Sequence, residues 1–334
     1  MKGYNLAVVG ATGMVGQKFL QVLEERNLPI DNYYLFSSAR SAGKQVYFMG
    51  SKYTVEELTE DALDNKKIDI ALFSAGASTS MKFAPIFASK GAVVIDNSSA
   101  WRMDDEVPLI VPEVNPEHIK KHKGIIANPN CSTIQAVVAL KPLHDKYRIK
   151  RIVYSTYQAV SGAGMGGYHD LEMGLKGEKP KKFPYPIAGN CLPHIDVFLP
   201  NGYTKEEMKM INETKKILDD YDLRITATTV RVPVFHGHSE SINLEFERDF
   251  ALDELKETLS KAPGIKVIDN PEKLEYPMAI YAEDKDDVFV GRIRRDESIK
   301  SGVNLWVVAD NIRKGAATNT VQIAQQLIRF WEEQ

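Results

Sequence analysis

Leu6-Ala7-Val8-Val9-Gly10-Ala11-Thr12-Gly13-Met14-Val15-Gly16 sets a short apolar run against three glycines spaced G-x-x-G-x-x-G, with a helix-forming stretch behind them. Strand, glycine turn and helix in that order make a cradle for a pyrophosphate. Glycine lets the backbone come close to phosphate oxygens, and the N-terminus of the next helix carries the partial positive charge that stabilises them. The spacing is not the commoner G-x-G-x-x-G, so a bare strand-to-helix turn is the competing reading. Gly10, Thr12, Gly13, Met14 and Val15 are the expected contacts.

Outward from this turn, strand and helix signals alternate. Met14 to Glu25 reads as a helix and Tyr33 to Phe36 as a second strand. Ile68 to Phe73 and Ala92 to Ile95 are further strands, with a helix over Ser78 to Ser89 between them. Short buried strands joined by helices predict a Rossmann-like, doubly wound parallel sheet, an α/β fold. NAD-selective sites place a carboxylate at the end of the second strand, for the ribose 2′-hydroxyl. Here that strand runs into Ser37-Ser38-Ala39-Arg40-Ser41-Ala42-Gly43-Lys44. Hydroxyls with a guanidinium suit a 2′-phosphate, so Ser38, Arg40 and Ser41 point to NADP, although a lone arginine is more often a solvated surface charge.

Past residue 130 the pattern changes. Cys131 to Lys146 reads as a helix. Ile149 to Ala159, Ile225 to Val234, Ser239 to Glu247, Val288 to Arg294 and Leu305 to Ala309 read as longer, more alternating strands of a mixed sheet. Helices are expected over Lys205 to Asp219 and Leu252 to Ala262. Tyr168 to Pro200, rich in Gly, Pro and Lys with weak periodicity, reads as an excursion from this second domain, suited to a subunit contact. Lys314 to Trp331 is an amphipathic helix able to rejoin the first domain. The expected division is 1–130 plus 315–334 for the NADP-binding domain and 131–314 for an α+β catalytic and dimerisation domain.

Composition narrows the class. Of 334 residues, 43% are hydrophobic and 26% charged, enough for a sizeable core, and the net charge of -3 gives no case for nucleic acid or a membrane surface. No apolar run approaches membrane-spanning length, and the N-terminus shows no signal-peptide pattern. With only Cys131 and Cys191, a disulfide framework is not expected, and the reading is a cytoplasmic protein with free thiols.

Asn128-Pro129-Asn130-Cys131-Ser132-Thr133 places one thiol at a helix start, where the dipole lowers a thiol pKa and backbone N–H groups can hold an oxyanion. A buried inert cysteine is the bland alternative. Cys191, followed two residues later by Pro193, reads as packing. In Arg231-Val232-Pro233-Val234-Phe235-His236-Gly237-His238-Ser239-Glu240, His236, His238 and Glu240 would share one side of an extended chain and invite a metal reading. No further Cys/His cluster completes a ligand set, so no metal is expected. His238, as an acid/base near neutral pKa, is the better partner for the Cys131 thiol.

Together these segments resemble the aspartate-semialdehyde dehydrogenases, from the Gly10–Gly16 turn to Asp310-Asn311-Ile312-Arg313-Lys314-Gly315-Ala316-Ala317, almost the whole chain. Asn130-Cys131-Ser132-Thr133-x-Gln135, Gln158-Ala159-Val160-Ser161-Gly162-Ala163-Gly164 and the Arg231–Glu240 block carry the resemblance most specifically. It implies NADP-dependent, reversible conversion of aspartyl 4-phosphate to aspartate 4-semialdehyde and phosphate, on the route to lysine, threonine and methionine, by a homodimer or homotetramer. It further implies Cys131 as nucleophile, His238 as acid/base and Gln158 as the residue orienting the bound intermediate. Arg231 would clamp the substrate carboxylate and Glu206 would pair with its ammonium. Arg102, Asn130 and Lys209 would receive phosphate. Ser74, Ala75, Gly76, Gly162 and Asn311 would touch the cofactor. Without the resemblance, Glu206 and Lys209, three apart on a helix, read as a solvent-exposed salt bridge. The competing readings are an N-acetyl-glutamyl-phosphate reductase-like or glyceraldehyde-3-phosphate dehydrogenase-like enzyme and a non-catalytic nucleotide-binding relative. Glu206 argues against the first, because an acetylated nitrogen carries no charge to pair.

Overall fold

The computed structural model describes residues 3–333, and the chain divides into two compact units, Met1–Pro129 with Ala316–Gln334 and Asn130–Gly315. The first opens with β1 (Tyr4–Val9), α1 (Met14–Arg26) and β2 (Ile30–Ser37). A hairpin of β3 (Gln45–Phe48) and β4 (Ser51–Thr54) follows, then β5 (Glu56–Glu57) and the single turn α2 (Asp61–Asp64). After β6 (Ile70–Phe73) come α3 (Ala77–Ser89), β7 (Val93–Asp96) and β8 (Ile125–Ala127). The six-stranded sheet runs β5-β2-β1-β6-β7-β8 with every pairing parallel. Strands β6 and β7 are buried at every position, as a parallel sheet covered on both faces requires. Strand order reverses between β1 and β6. Ligands of open α/β sheets bind at the carboxyl ends of the strands at such a switch point.

The second unit begins with α4 (Cys131–Tyr147), β9 (Ile149–Gln158), α5 (Gly164–Gly174) and α6 (Lys205–Leu218). It continues through β10 (Arg224–Arg231), β11 (His238–Phe246), α7 (Leu252–Lys261), β12 (Ile265–Val267), the short α8 (Ala279–Ala282), β13 (Val288–Asp296) and β14 (Gly302–Ala309). Its sheet runs β10-β9-β11-β14-β13-β12. The β10/β9 and β12/β13 edge pairs are parallel and the middle pairings antiparallel, which makes the sheet mixed. Helix α4 packs against β9, β11, β13 and β14, and α6 against β10.

Three expectations need correction. The Tyr168–Pro200 excursion is not irregular from its start, because α5 runs to Gly174. Four glycines hide that helix from propensity, and tertiary contacts override them. Leu171 is buried with Val160, Ile187 and Leu192, and Asp170 accepts the N–H groups of Lys181, Lys182 and Phe183. The strand expected over Ile225–Val234 stops at Arg231, two residues before Pro233. The terminal helix is α-helical only from α9 (Asn319–Glu332), because Arg313–Thr318 forms a π-turn. There Asp310 Oδ1 accepts from the N–H groups of Ile312 and Arg313, and Gly315 N–H bonds back to Asp310 O, five residues earlier. Helix α9 buries Val321, Ile323, Ala324, Leu327 and Ile328 in one core with Leu6, Val8 and Phe19.

Candidate active site

At the switch point of the parallel sheet, Gly10 turns the chain at φ +88°, and a β-carbon there would lie 2.4 Å from the Ser74 carbonyl oxygen. Only glycine admits this approach of the two strand ends. Thr12 Oγ1 lies 2.8 Å from Ser37 Oγ and 3.2 Å from Ser41 Oγ, fastening the glycine turn to the end of β2. Gly13 caps α1, so Met14 and Val15 form its first turn, and Gly76 at φ +85° caps α3. A cavity of about 810 Å³ opens there, lined among others by Gly10, Thr12, Gly13, Ser38, Arg40, Ser41, Ser74 and Ala75. Lys44 and Glu57 line it too, and both were missed from sequence. Glu57 stands 21 residues beyond Phe36 in no recognisable pattern, yet β5 pairs it with Ser37. The glycine cradle, the helix start and two cations fit a dinucleotide with an extra phosphate.

In the second unit, the sheet register brings distant residues into one row. Arg231 pairs with Gln158, and the β9/β11 register sets Gln158 opposite His238. All three side chains are buried. His238 accepts a hydrogen bond at Nδ1 from the Ala159 N–H at 3.0 Å, which leaves the proton of a neutral imidazole on Nε2. Burial, then the Arg231 charge, pushes its pKa well below 6.5, so the imidazole does not titrate near neutrality as expected from sequence. Arg231 donates to Ala159 O at 2.8 Å, and its backbone is pinned by both hydrogen bonds to Leu192, from the returning excursion. A β-carbon on Gly162 would lie 2.8 Å from the Arg231 guanidinium and 3.1 Å from His238 Cε1. Gly162 and Asn311, expected at the cofactor, thus border this row. Asn311 Oδ1 accepts from Gly237 N–H, and its amide bonds Ser161 Oγ.

Cys131 is the first residue of α4 and partly exposed. Asn130 caps the helix, its Oδ1 accepting from the N–H groups of Ser132 (3.0 Å) and Thr133 (3.2 Å). Its Nδ2 donates to Glu206 Oε1 at 2.8 Å, and its backbone N–H donates to Glu213 Oε2 at 2.7 Å. Glu206 also accepts from Gln158 Nε2 (3.3 Å) and Lys209 Nζ (3.0 Å). Burial would raise the Glu206 pKa, but Lys209, Asn130 and Arg231 together hold it below the usual range. The pair with Lys209 is therefore no solvent-exposed bridge: Glu206 is buried and Lys209, which also donates to Asp196 Oδ2 at 2.9 Å, is largely covered. Arg231 responds to both Glu206 and the Cys131 thiol, so the guanidinium sits in the field of each.

The other expected residues have surroundings of their own. Arg102, in the first unit, is buried and held by the carbonyls of Asn128 and Asn97. Cys191 is exposed rather than packed, because the excursion turns its side chain outward. Of the residues that invited a metal, His236 lies 3.7 Å from Glu283, and no group of three ligands occurs among the described residues.

Residues 5–122 match the family described as the semialdehyde dehydrogenase NAD-binding domain, and residues 140–314 match the semialdehyde dehydrogenase dimerisation domain. The aspartate-semialdehyde dehydrogenase of Aquifex aeolicus is 60% identical over 98% of both chains. The chain belongs to the aspartate-semialdehyde dehydrogenase family. Among solved structures, Vibrio cholerae aspartate semialdehyde dehydrogenase II complexed with ASA superposes with a TM-score of 0.95 at 47% identity, covering 98% of this chain and 99% of that one. The Candida albicans aspartate semialdehyde dehydrogenase with NADP gives 0.77 at 27% identity, covering 98% of each. Membership of this family makes the thiol at the α4 start and the Arg231–Gln158–His238 row the place to look for its chemistry.

Proposed function

We propose that this chain is an NADP-dependent aspartate-semialdehyde dehydrogenase, which reductively dephosphorylates L-aspartyl 4-phosphate to L-aspartate 4-semialdehyde. The observation that carries the reading is the convergence of Cys131, Asn130, Gln158, Glu206 and Arg231 in one hydrogen-bonded and electrostatically linked set, with His238 beside it. NADP would be held by the glycine turn, by Ser74 and Ala75, and by Ser38, Arg40, Ser41 and Lys44 at the 2′-phosphate. When bound it supplies or accepts the hydride.

In the synthetic direction, the Cys131 thiolate attacks the acyl carbon, and the C–O bond to phosphate breaks. The helix start and the Arg231 charge favour the thiolate. Asn130 and Lys209 receive the departing phosphate. Reduction of the thioester leaves negative charge on the former carbonyl oxygen, and collapse of that thiohemiacetal returns the thiolate and frees the aldehyde. No proton need pass to the oxygen. His238, neutral with its proton on Nε2, stabilises the oxyanion as a hydrogen-bond donor. Arg231 clamps the substrate carboxylate and Glu206 reads its ammonium, while Gln158 orients the acyl group.

The second unit also supports self-association. Its excursion exposes Leu175, Tyr185, Val197 and Phe198, and Tyr157 is exposed on the sheet. We assign a homodimer to this surface and the enzyme to the cytoplasm. No helix among the described residues is long and apolar enough to cross a membrane. The test is an assay with aspartate semialdehyde, comparing NADP with NAD and with or without phosphate. Phosphate-dependent NADPH formation is expected; none with any cofactor would end the proposal.

A further inference from the structure

Directly below Arg231, Gln158 and His238, a second row lies on the same face of the sheet: Thr229, Thr156, Glu240 and Val307. The row beneath is Ala227, Tyr154, Ile242 and Leu305, already hydrophobic core apart from a tyrosine hydroxyl bonded to Thr214. Glu240 is 0% exposed, and neither carboxyl oxygen has a hydrogen-bond partner. The register sets Thr156 of β9 and Val307 of β14 beside it, His238 precedes it by two on its own strand, Tyr154 lies in its field one row below, and Gln135 of α4 reaches the His238 and Val307 carbonyls; Arg231 on β10 stands one row above and two strands away. None is a cation set against the carboxyl. Burial alone pushes its pKa well above the usual range. An ionised carboxylate with no partner in such a place is untenable.

Gln135 stands one helical turn after Cys131, and its Nε2 reaches His238 O (3.3 Å) and Val307 O (3.5 Å). Helix α4 is thereby tied to β11 and β14 at the level of Glu240, since Glu240 pairs with Val307. Gln135 Oε1 is itself buried without a partner. Thr156, opposite Glu240, accepts the Gln158 amide at Oγ1 (3.3 Å). A neutral acid brings an O–H donor to a layer that holds an unmet acceptor. A carboxylate would bring only more acceptors, and its charge would draw His238 towards imidazolium.

We propose that Glu240 is a positioning residue, a neutral carboxylic acid that with Gln135 and Thr156 forms a polar layer beneath Gln158 and His238 and keeps the Cys131 helix in register with both. This rests on Cys131, Gln158 and His238 being the reacting side chains. Two variants separate charge state from positioning. Glu240→Gln keeps shape and polarity but cannot ionise. The native carboxyl binds a proton more tightly folded than unfolded, so it weakens the fold increasingly as pH rises above 4.5. The urea midpoint of E240Q therefore exceeds that of the wild type at neutral pH, by a margin that grows with pH. Glu240→Leu removes the layer's donor, and kcat falls about tenfold or more with KM for the semialdehyde within about threefold. E240Q restores most of that activity. If E240L does not fold, Gln135→Leu attacks the same layer from the helix, with the same loss of kcat expected. A lower urea midpoint for E240Q at neutral pH would overturn the neutral acid. Unchanged kcat in the leucine variants, or E240Q as impaired as E240L, would overturn the positioning role. Failure of the wild type to turn over would instead strike the proposed function, and the urea series would still decide the charge state.

Discussion

Each residue proposed to react is set up by the groups that hold it. Cys131 has a helix start beneath it and Arg231 in its field. Replacing it with alanine should lower phosphate-dependent turnover by about a thousandfold or more, read as the steady-state rate of NADPH formation. His238 has one ring nitrogen committed to the Ala159 N–H. Nitrogen NMR of the labelled imidazole should therefore find the proton on Nε2, with no protonation at pH 6.5; an imidazolium there would contradict the donor role. Gly162→Ala should leave the fold intact while lowering kcat/KM, because its methyl group meets Arg231 and His238. The place of the thiol at a helix start was legible in the sequence from its Asn-Pro-Asn lead. The tautomer of His238 was not, since the donor that sets it is a backbone group at Ala159, 79 residues away.

Elements place these residues through caps and register. Asn130 ends one helix's exposed N–H groups and grips α6 through Glu206, so one asparagine couples two helices. A control lies at the far end of that contact. Thr204 forms a capping box with Glu207 at the start of α6. Thr204→Ala should lower the urea unfolding free energy by about 1 kcal/mol with kcat nearly unchanged. The parallel strands and the glycine turn were legible because apolar runs and turn residues are local signals. Helix α5 and the end of β10 were not. The first is held by Asp170 and Leu171 contacts despite its glycines, and the second is halted by Pro233 while its carbonyl and N–H pair with Leu192. The row of Arg231, Gln158 and His238 was invisible for the same reason: a register is a relation between strands, and no single strand encodes it.

Across the whole chain, buried titratable groups give stability a definite pH dependence. His238 in the fold resists protonation, so the unfolded chain binds its proton first as pH falls below 6.5, and stability is lost from there downward. Glu206, whose pKa is also depressed, adds a further loss as pH falls below 4.5. Glu240 works in the opposite sense. Between pH 6.5 and 4.5 the Glu240 gain offsets the His238 loss, so wild-type urea midpoints should fall mainly below pH 4.5. In Glu240→Gln the decline should begin near pH 6.5, and adding His238→Asn should flatten that first part. Composition anticipated a sizeable core, but no compositional figure reveals which buried charges are paired.

The most direct test of the central claim omits phosphate. With semialdehyde and NADP, the enzyme should release about one equivalent of NADPH per active chain and stop, holding an aspartyl thioester that mass spectrometry finds on the peptide containing Cys131. Adding phosphate should restart turnover. An acyl group on any other residue, or continued turnover without phosphate, would contradict the account.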